Sequence, residues 1–298
     1  MAYDDIRDRI TTQFADAGVT GRLHATDLDT GREVGVGADS AVLMASVFKV
    51  PLVLALYRAA DAGRLDPAAP VTVVPEARTA GPTGIGAMAD PVTMSLRDLA
   101  HLAVSVSDNA AADALADRVG LDAVADAVAA VGLTATRVVE VCRDVAARTA
   151  ASLGTEDPAR LARLLTDPVA LSQLATLDVG RSNRTTARDC TTLLAALWRD
   201  TAASPRSCVA IRRLLSLQVW PHRLASGFPF DDVRVAGKTG TLPTVRNEIG
   251  VVEYPDGGRY AVAVFTRSAA TSLTLPRADA VIGAAARTAV EHLRSARR

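Results

Sequence analysis

Lysine is nearly absent from this 298-residue chain: of 33 basic residues, 31 are arginine and only Lys49 and Lys238 are lysine. Arginine stays protonated at any working pH, whereas a lysine in a partly apolar pocket can shift its pKa and act as a base or proton relay. The two exceptions are therefore candidates for chemistry. Net charge is absent too, with 33 acidic residues balancing the basic ones and no long basic block, which argues against a nucleic-acid partner. Aromatic residues make up only 4%, but 49% of the chain is hydrophobic, enough for a large core and against disorder. The three cysteines, Cys142, Cys190 and Cys208, form no C-x-x-C or zinc spacing, so the expectation is three reduced thiols. His24, His101, His222 and His292 are scattered, no ligand cluster for a metal is visible, and there is no G-x-S-x-G elbow.

No export signal is visible either. MAYDDIRDRITTQF carries Asp4, Asp5 and Asp8 where a secretory signal needs a basic start and an apolar core. The apolar run at 50–57 is much too short to span a membrane. The expectation is a cytoplasmic protein without a membrane partner, or a secreted one if the sequence is a trimmed mature form. No protein partner or oligomeric state can be read.

What is present divides into β-rich ends and a helical middle. After a helix predicted at Ile6–Ala17, GRLHATDLDTGREVGVGADS alternates apolar and polar residues around an Asp-Thr-Gly turn. VRNEIGVVEYPDGGRYAVAVFTR repeats that hairpin pattern around Pro255–Gly258. Between them lie helical periodicities at about 95–118, 121–132, 157–166, 186–200 and 205–219, with almost no strand signal, and a last helix is predicted at Ala278–Ser295. Residues 79–91 and 226–230 read as loops. The fold class is thus α+β: a single domain over 1–298 in which 1–43 and 221–298 form a sheet lobe flanked by helices and 44–220 an inserted helical lobe.

MASVFKVPLVLALY, residues 44–57, sets a serine and a lysine three apart at the mouth of an apolar run. On a helix they share a face, within hydrogen-bond reach. The bland reading is a helix cap followed by a snorkelling lysine. Ser107-Asp108-Asn109 could equally be a polar helix junction, and Lys238-Thr239-Gly240, after the short strand DVRVAG, a strand-end turn. Their order and the lysine census weigh against three coincidences.

S-x-x-K, S-D-N and K-T-G together resemble the signature of class A β-lactamases and related penicillin-binding proteins, over nearly the whole chain and including GKTGTLPTVRNEIGVVEYPDGGRYAVAVFTR. The resemblance implies a cofactor-free serine hydrolase that opens a β-lactam, ester or amide through an acyl-Ser46 intermediate. Lys49 would take the Ser46 proton, and Ser107 with Lys238 would relay it to the leaving group. Backbone amides of Ser46 and Thr241 would form the oxyanion hole. Asn109, Thr239, Gly240, Thr241 and Arg246 would bind substrate. Arg246 has an alternative as an exposed strand arginine pairing with Glu248 or Glu253, and His222 sits in a rim loop with a packing role.

One family element is missing. There is no E-x-x-L-N, the loop motif whose glutamate activates water for deacylation. Counting from Arg137 puts Cys142 at that position, with Glu140 and Asp144 two residues to either side. Glu140 is the candidate deacylation base, its alternative a solvated loop carboxylate, and Cys142 reads as a small buried hydrophobe. Residues of about 146–184 are longer than the family's segment and are expected to remodel one wall of the site. Acylation should survive and deacylation is in doubt. The alternatives to a β-lactamase are an intracellular esterase, amidase or acyltransferase, and a slow-deacylating β-lactam-binding protein.

Overall fold

The computed structural model describes residues 3–295. The chain opens with α1 (Tyr3–Asp16), then runs through β1 (Val19–Asp27), β2 (Glu33–Val36) and the two-residue β3 (Val42–Leu43) into α2 (Lys49–Asp61). A helical stretch follows: the pair β4 (Pro70–Val73) and β5 (Val92–Ser95), then α3 (Leu96–Ser105), α4 (Asn109–Val119), α5 (Leu121–Ala130), α6 (Cys142–Leu153), α7 (Pro158–Leu164) and α8 (Pro168–Ser172). After β6 (Arg184–Thr185), α9 (Ala187–Trp198) and α10 (Pro205–Ser216) lead to β7 (Arg234–Leu242), β8 (Val245–Glu253), β9 (Arg259–Ser268) and α11 (Pro276–Ser295).

Five strands from the two ends form one antiparallel sheet in the order β2-β1-β9-β8-β7. The fold is α+β, as the patterning predicts. Strand periodicity explains its two faces. Along β9, Tyr260, Val262 and Val264 pack with α1 and α11, whereas Ala261, Ala263 and Phe265 join the core of the helical middle. At about 1.5–3 kcal/mol for each fully buried large apolar side chain, these alternating rows fix the register of the sheet.

The apolar run of α2 is buried on every face, from Lys49 to Leu56, and forms the axis of the helical middle. Pro51 lies in its first turn, where no backbone donor is lost. The sequence-predicted helix 95–118 is two helices. The break falls at Ser107, held at φ 62°, with Asp108 capping α4 by accepting from Ala111 N. The middle also holds the strand pair β4–β5, and β6 within it pairs with β3 just before it; the sequence reading had neither. K-T-G does not follow a strand end; β7 runs through it to Leu242. The start of segment 226–230 belongs to a 3₁₀ turn, Ala225–Gly227, packed on α11. A Cβ on Gly227 would lie 2.1 Å from Gly283 O, so only glycine allows this approach. No helix among the described residues is long and apolar enough to cross a membrane.

Candidate active site

Ser46 lies in a 3₁₀ turn, Ala45–Phe48, that feeds directly into α2. The preceding residue, Ala45, is held at φ 46°, a left-handed conformation costly for a residue with a Cβ. Of four such non-glycine residues in the described chain, Ala45 and Ser107 both belong to the motif segments. Gly240 on β7 packs against this turn: a Cβ there would come 2.7 Å from Met44 O. The close contact brings Thr241 beside Ser46, and both line the same two cavities.

Both lysines are fully buried, so neither snorkels. Lys49 Nζ donates to Ser107 O at 2.7 Å, to Asn109 Oδ1 at 2.8 Å and, longer, to Ser107 Oγ at 3.5 Å. Lys238 Nζ donates to Ser107 Oγ at 2.9 Å and to Thr239 O at 2.8 Å. Burial lowers the pKa of Lys49, opposed by the field of Cys142, Asp108 and Asp113. Burial, reinforced by the charge of Lys49, lowers Lys238 well below the usual lysine range. The S-x-x-K spacing predicts a Ser46–Lys49 hydrogen bond, and this structure has none: the ammonium is turned to the S-D-N backbone and to Asn109.

Ser46, Asn109 and Thr241 stand at the junction of two cavities. The outer one, about 540 Å³, is lined by Ser107, Trp220, Arg223, Thr239, Arg246 and Asp279 among others. Its charge centre is a pair of arginines sharing one carboxylate. Arg223 Nε donates to Asp279 Oδ1 at 2.6 Å and Arg246 Nε lies 3.6 Å from the same oxygen. Arg246 is not an exposed strand residue and pairs with neither Glu248 nor Glu253. It is buried, with its guanidinium donating to the carbonyls of Leu242, Val245 and Leu273. The reason is the fold of the last helix, which brings Asp279 on α11 over the end of β8.

Arg223, unnoticed in the sequence, is the more telling cation. It donates to Gly240 O and Asn247 O at 3.0 Å each and to Thr241 Oγ1 at 2.8 Å. A threonine hydroxyl that accepts from a guanidinium keeps its own proton to give, which here aims a donor at an incoming anion. Its only sequence signal was a second basic residue beside His222. Behind β7, Gln218 bridges the strand to a buried acid: Gln218 Oε1 accepts from Thr239 N, and its amide donates to Glu248 Oε1, both at 2.6 Å. Glu248 Oε2 accepts from Leu224 N at 2.7 Å, and burial pushes its pKa up to about 7.

The inner cavity, about 100 Å³, is lined by Ser46, Phe48, Glu140, Cys142, Ser182 and Asn183, among others. Glu140 is not a solvated loop carboxylate. It is 7% exposed, its backbone N and O are gripped by the Asn183 side chain, and its Oε1 accepts from Arg148 at 2.6 Å. Burial raises its pKa, opposed by Arg148. Cys142 begins α6, a helix absent from the sequence reading, whose first turn is anchored by Asp113 accepting from Cys142 N and Arg143 N. Burial pushes the Cys142 thiol up to about 11. Asp144 is spent on the helix start, accepting from Val141 N. Of the long segment 146–184, Thr176, Ser182 and Asn183 reach this cavity. Among the described residues, no group of three His, Cys, Asp or Glu is placed to hold a metal.

Comparison with known proteins matches this geometry to a family. A family model described as the β-lactamase enzyme family aligns with residues 5–293. The chain belongs to that family. This member of the β-lactamase family is 34% identical over 295 residues to a protein of Streptomyces cacaoi called β-lactamase regulatory protein BlaB, covering 94% of each chain. A solved β-lactamase of Sphaerobacter thermophilus shares 26% identity, with 98% of each chain covered and a TM-score of 0.78. A mutant of PBP-A solved in acyl-enzyme complex with penicillin G superposes with a TM-score of 0.78 at 21% identity, over 98% of this chain and 97% of that one; this likeness is one of fold.

Proposed function

We propose that this protein is a serine acyl-transfer protein whose Ser46 is acylated by β-lactams and related carboxylate-bearing amides, and whose acyl-Ser46 is long-lived. The observation that carries it is the convergence of the chain's only two lysines on Ser107, beside a serine standing between two cavities. Neutral Lys49, favoured by burial, takes the Ser46 proton once a substrate draws it from Ser107 O. Ser46 Oγ bonds the carbonyl carbon and backbone amides of Ser46 and Thr241 carry the oxyanion; as the oxyanion collapses the ring C–N bond breaks and the nitrogen takes a proton from Ser107, which is resupplied, with Lys238 in the relay, by the proton that Lys49 took from Ser46. Thr239 and Thr241, in the positive field of Arg223 and Arg246, receive the substrate carboxylate.

The slow second step rests on the inner cavity. The residue at the expected glutamate position is Cys142, whose thiol burial pushes up to about 11, and the one carboxylate facing this space among the described residues, Glu140, is paired with Arg148. With Oε1 held by Arg148, this carboxylate is not free to turn toward a water and take its proton. A persistent acyl-protein suits a sensor, which accords with the regulatory name of the Streptomyces cacaoi relative. The test is an intact-mass time course with penicillin G and a cephalosporin, with Ser46→Ala alongside. A stoichiometric adduct lasting for many minutes and missing in S46A is expected; rapid adduct decay with steady substrate loss would instead make the protein a working β-lactamase, and no adduct would refute the reading.

A further inference from the structure

A separate cavity of about 430 Å³ lies behind the Ser46 turn, on the face of the sheet that meets the helical middle. Its floor is six residues from three neighbouring strands. The register pairs Thr20 with Arg267 and Arg22 with Phe265 across β1 and β9, then Val245 with Arg267 and Asn247 with Phe265 across β8 and β9, so all six side chains share one face. Its walls are Ala41–Leu43 and Leu177–Val179. The volume is that of a small-molecule site.

Its chemistry is specific. Phe265, Val245, Val42, Leu43 and Leu177 supply an apolar bed, and the half-buried Arg22 and the exposed Arg267 bring two guanidinium-bearing side chains to the lining. Neither Arg22 nor Arg267 pairs with a carboxylate among the described residues; Arg22 donates only to Gly21 O. The one acid in the lining, Asp178, is exposed and accepts from Gly180 N. Asn247 leaves its buried Oδ1 without a hydrogen-bond partner, although its amide donates to Leu43 O at 2.8 Å and Met44 O at 3.4 Å.

We propose that this cavity is a second ligand site, for a small organic carboxylate with an aryl or alkyl body, and that its occupancy is transmitted to the Ser46 turn. The carboxylate pairs with Arg22 and Arg267 while the body lies on Phe265, Val42 and Leu177. Transmission runs through shared parts. Leu43 lines both this cavity and the inner Ser46 cavity, Asn247 holds the carbonyls just before Ala45, and Met44 N donates to Asn183 O in the segment that grips Glu140.

Titration calorimetry with 1-naphthylacetate on the full chain tests the site, using Arg22→Gln/Arg267→Gln and, separately, Arg223→Gln. Saturable binding that weakens at least tenfold in R22Q/R267Q and persists in R223Q is expected. No saturable binding, or loss only in R223Q, which places the acid in the outer Ser46 cavity, overturns the proposal. Amide exchange tests the transmission at Met44–Ser46, residues that do not line the cavity. Exchange at least threefold slower with 1-naphthylacetate in the wild type and unchanged in R22Q/R267Q is expected; equal exchange with and without the acid in the wild type overturns it. Neither readout depends on Ser46 being acylated.

Discussion

Lys49 and Lys238 hold the same residue: Lys49 Nζ donates to Ser107 O at 2.7 Å and Lys238 Nζ to Ser107 Oγ at 2.9 Å. Two ammonium groups so close cannot both keep their protons cheaply, and with both side chains buried the neutral form of each gains. A neutral lysine is the base that acylation requires, and arginine cannot supply one. Lys49→Arg is expected to slow acylation of Ser46 by roughly 10²–10⁴-fold, measured as adduct growth by intact mass with a melting curve to confirm folding. The wild-type rate should climb with pH through the lowered lysine pKa and fall in acid, and that limb should vanish in the variant. Wild-type-like acylation by K49R would remove Lys49 as the base.

Deacylation should respond to charge placed in the inner cavity. Cys142 lines it together with Ser46, so a carboxylate there would share the cavity with the acylated serine. Cys142→Glu is expected to shorten the acyl-Ser46 lifetime by at least tenfold without slowing its formation. Glu140→Gln should lengthen the lifetime further if the residual hydrolysis uses that carboxylate, and pulse-chase mass spectra with unlabelled penicillin read both effects. A lifetime unchanged in C142E would mean that water, not the base, is excluded from the site.

Under the proposed function, recognition of a substrate carboxylate is expected to fall to Arg223 more than to Arg246. Arg223 sets the Thr241 hydroxyl, while the donors of Arg246 are taken by three carbonyls. Charge-assisted hydrogen bonds contribute about 1.5–3 kcal/mol, so Arg223→Gln is expected to lower the acylation kcat/KM by roughly 10–100-fold. The deficit should disappear when the substrate carboxylate is masked as a methyl ester. Arg246→Met should act differently, lowering Tm by several degrees because it strands buried carbonyls.

The parts that could be read from sequence are those encoded locally. Alternation marked β1, β8 and β9, the unbroken apolar run marked α2, and the two-lysine census marked the two buried lysines. The parts that could not be read depend on distant chain segments meeting. Asp279 is 33 residues from Arg246 and 56 from Arg223, so no spacing rule joins them. Helix α6 was hidden because its start carries no side-chain cap of its own type at Val141, its backbone donors being satisfied by Asp113 on α4. The break at Ser107 was hidden because apolar periodicity continues through it, while the left-handed backbone there is imposed by tertiary contacts.

Glu248 makes the last prediction, one of stability rather than rate. Its carboxyl is buried beside Gln218 and Leu224 N, and its folded pKa of about 7 lies above that of an unfolded glutamate near 4.3. The folded chain therefore keeps a proton that the unfolded chain releases between those values. Stability contributed by this group is complete below about pH 4, declines as pH rises through that window, and is flat again above about pH 7. The decline is of the order of 3 kcal/mol, with hydrogen bonds to the ionised form tempering it. Glu248→Gln keeps an acceptor for Leu224 N and removes the titration, so denaturant midpoints measured from pH 5 to 8 should show the variant gaining on the wild type as pH rises. Parallel curves would mean that the carboxylate is ionised in the folded chain, held by Lys238 and Arg223 instead of neutralised by burial.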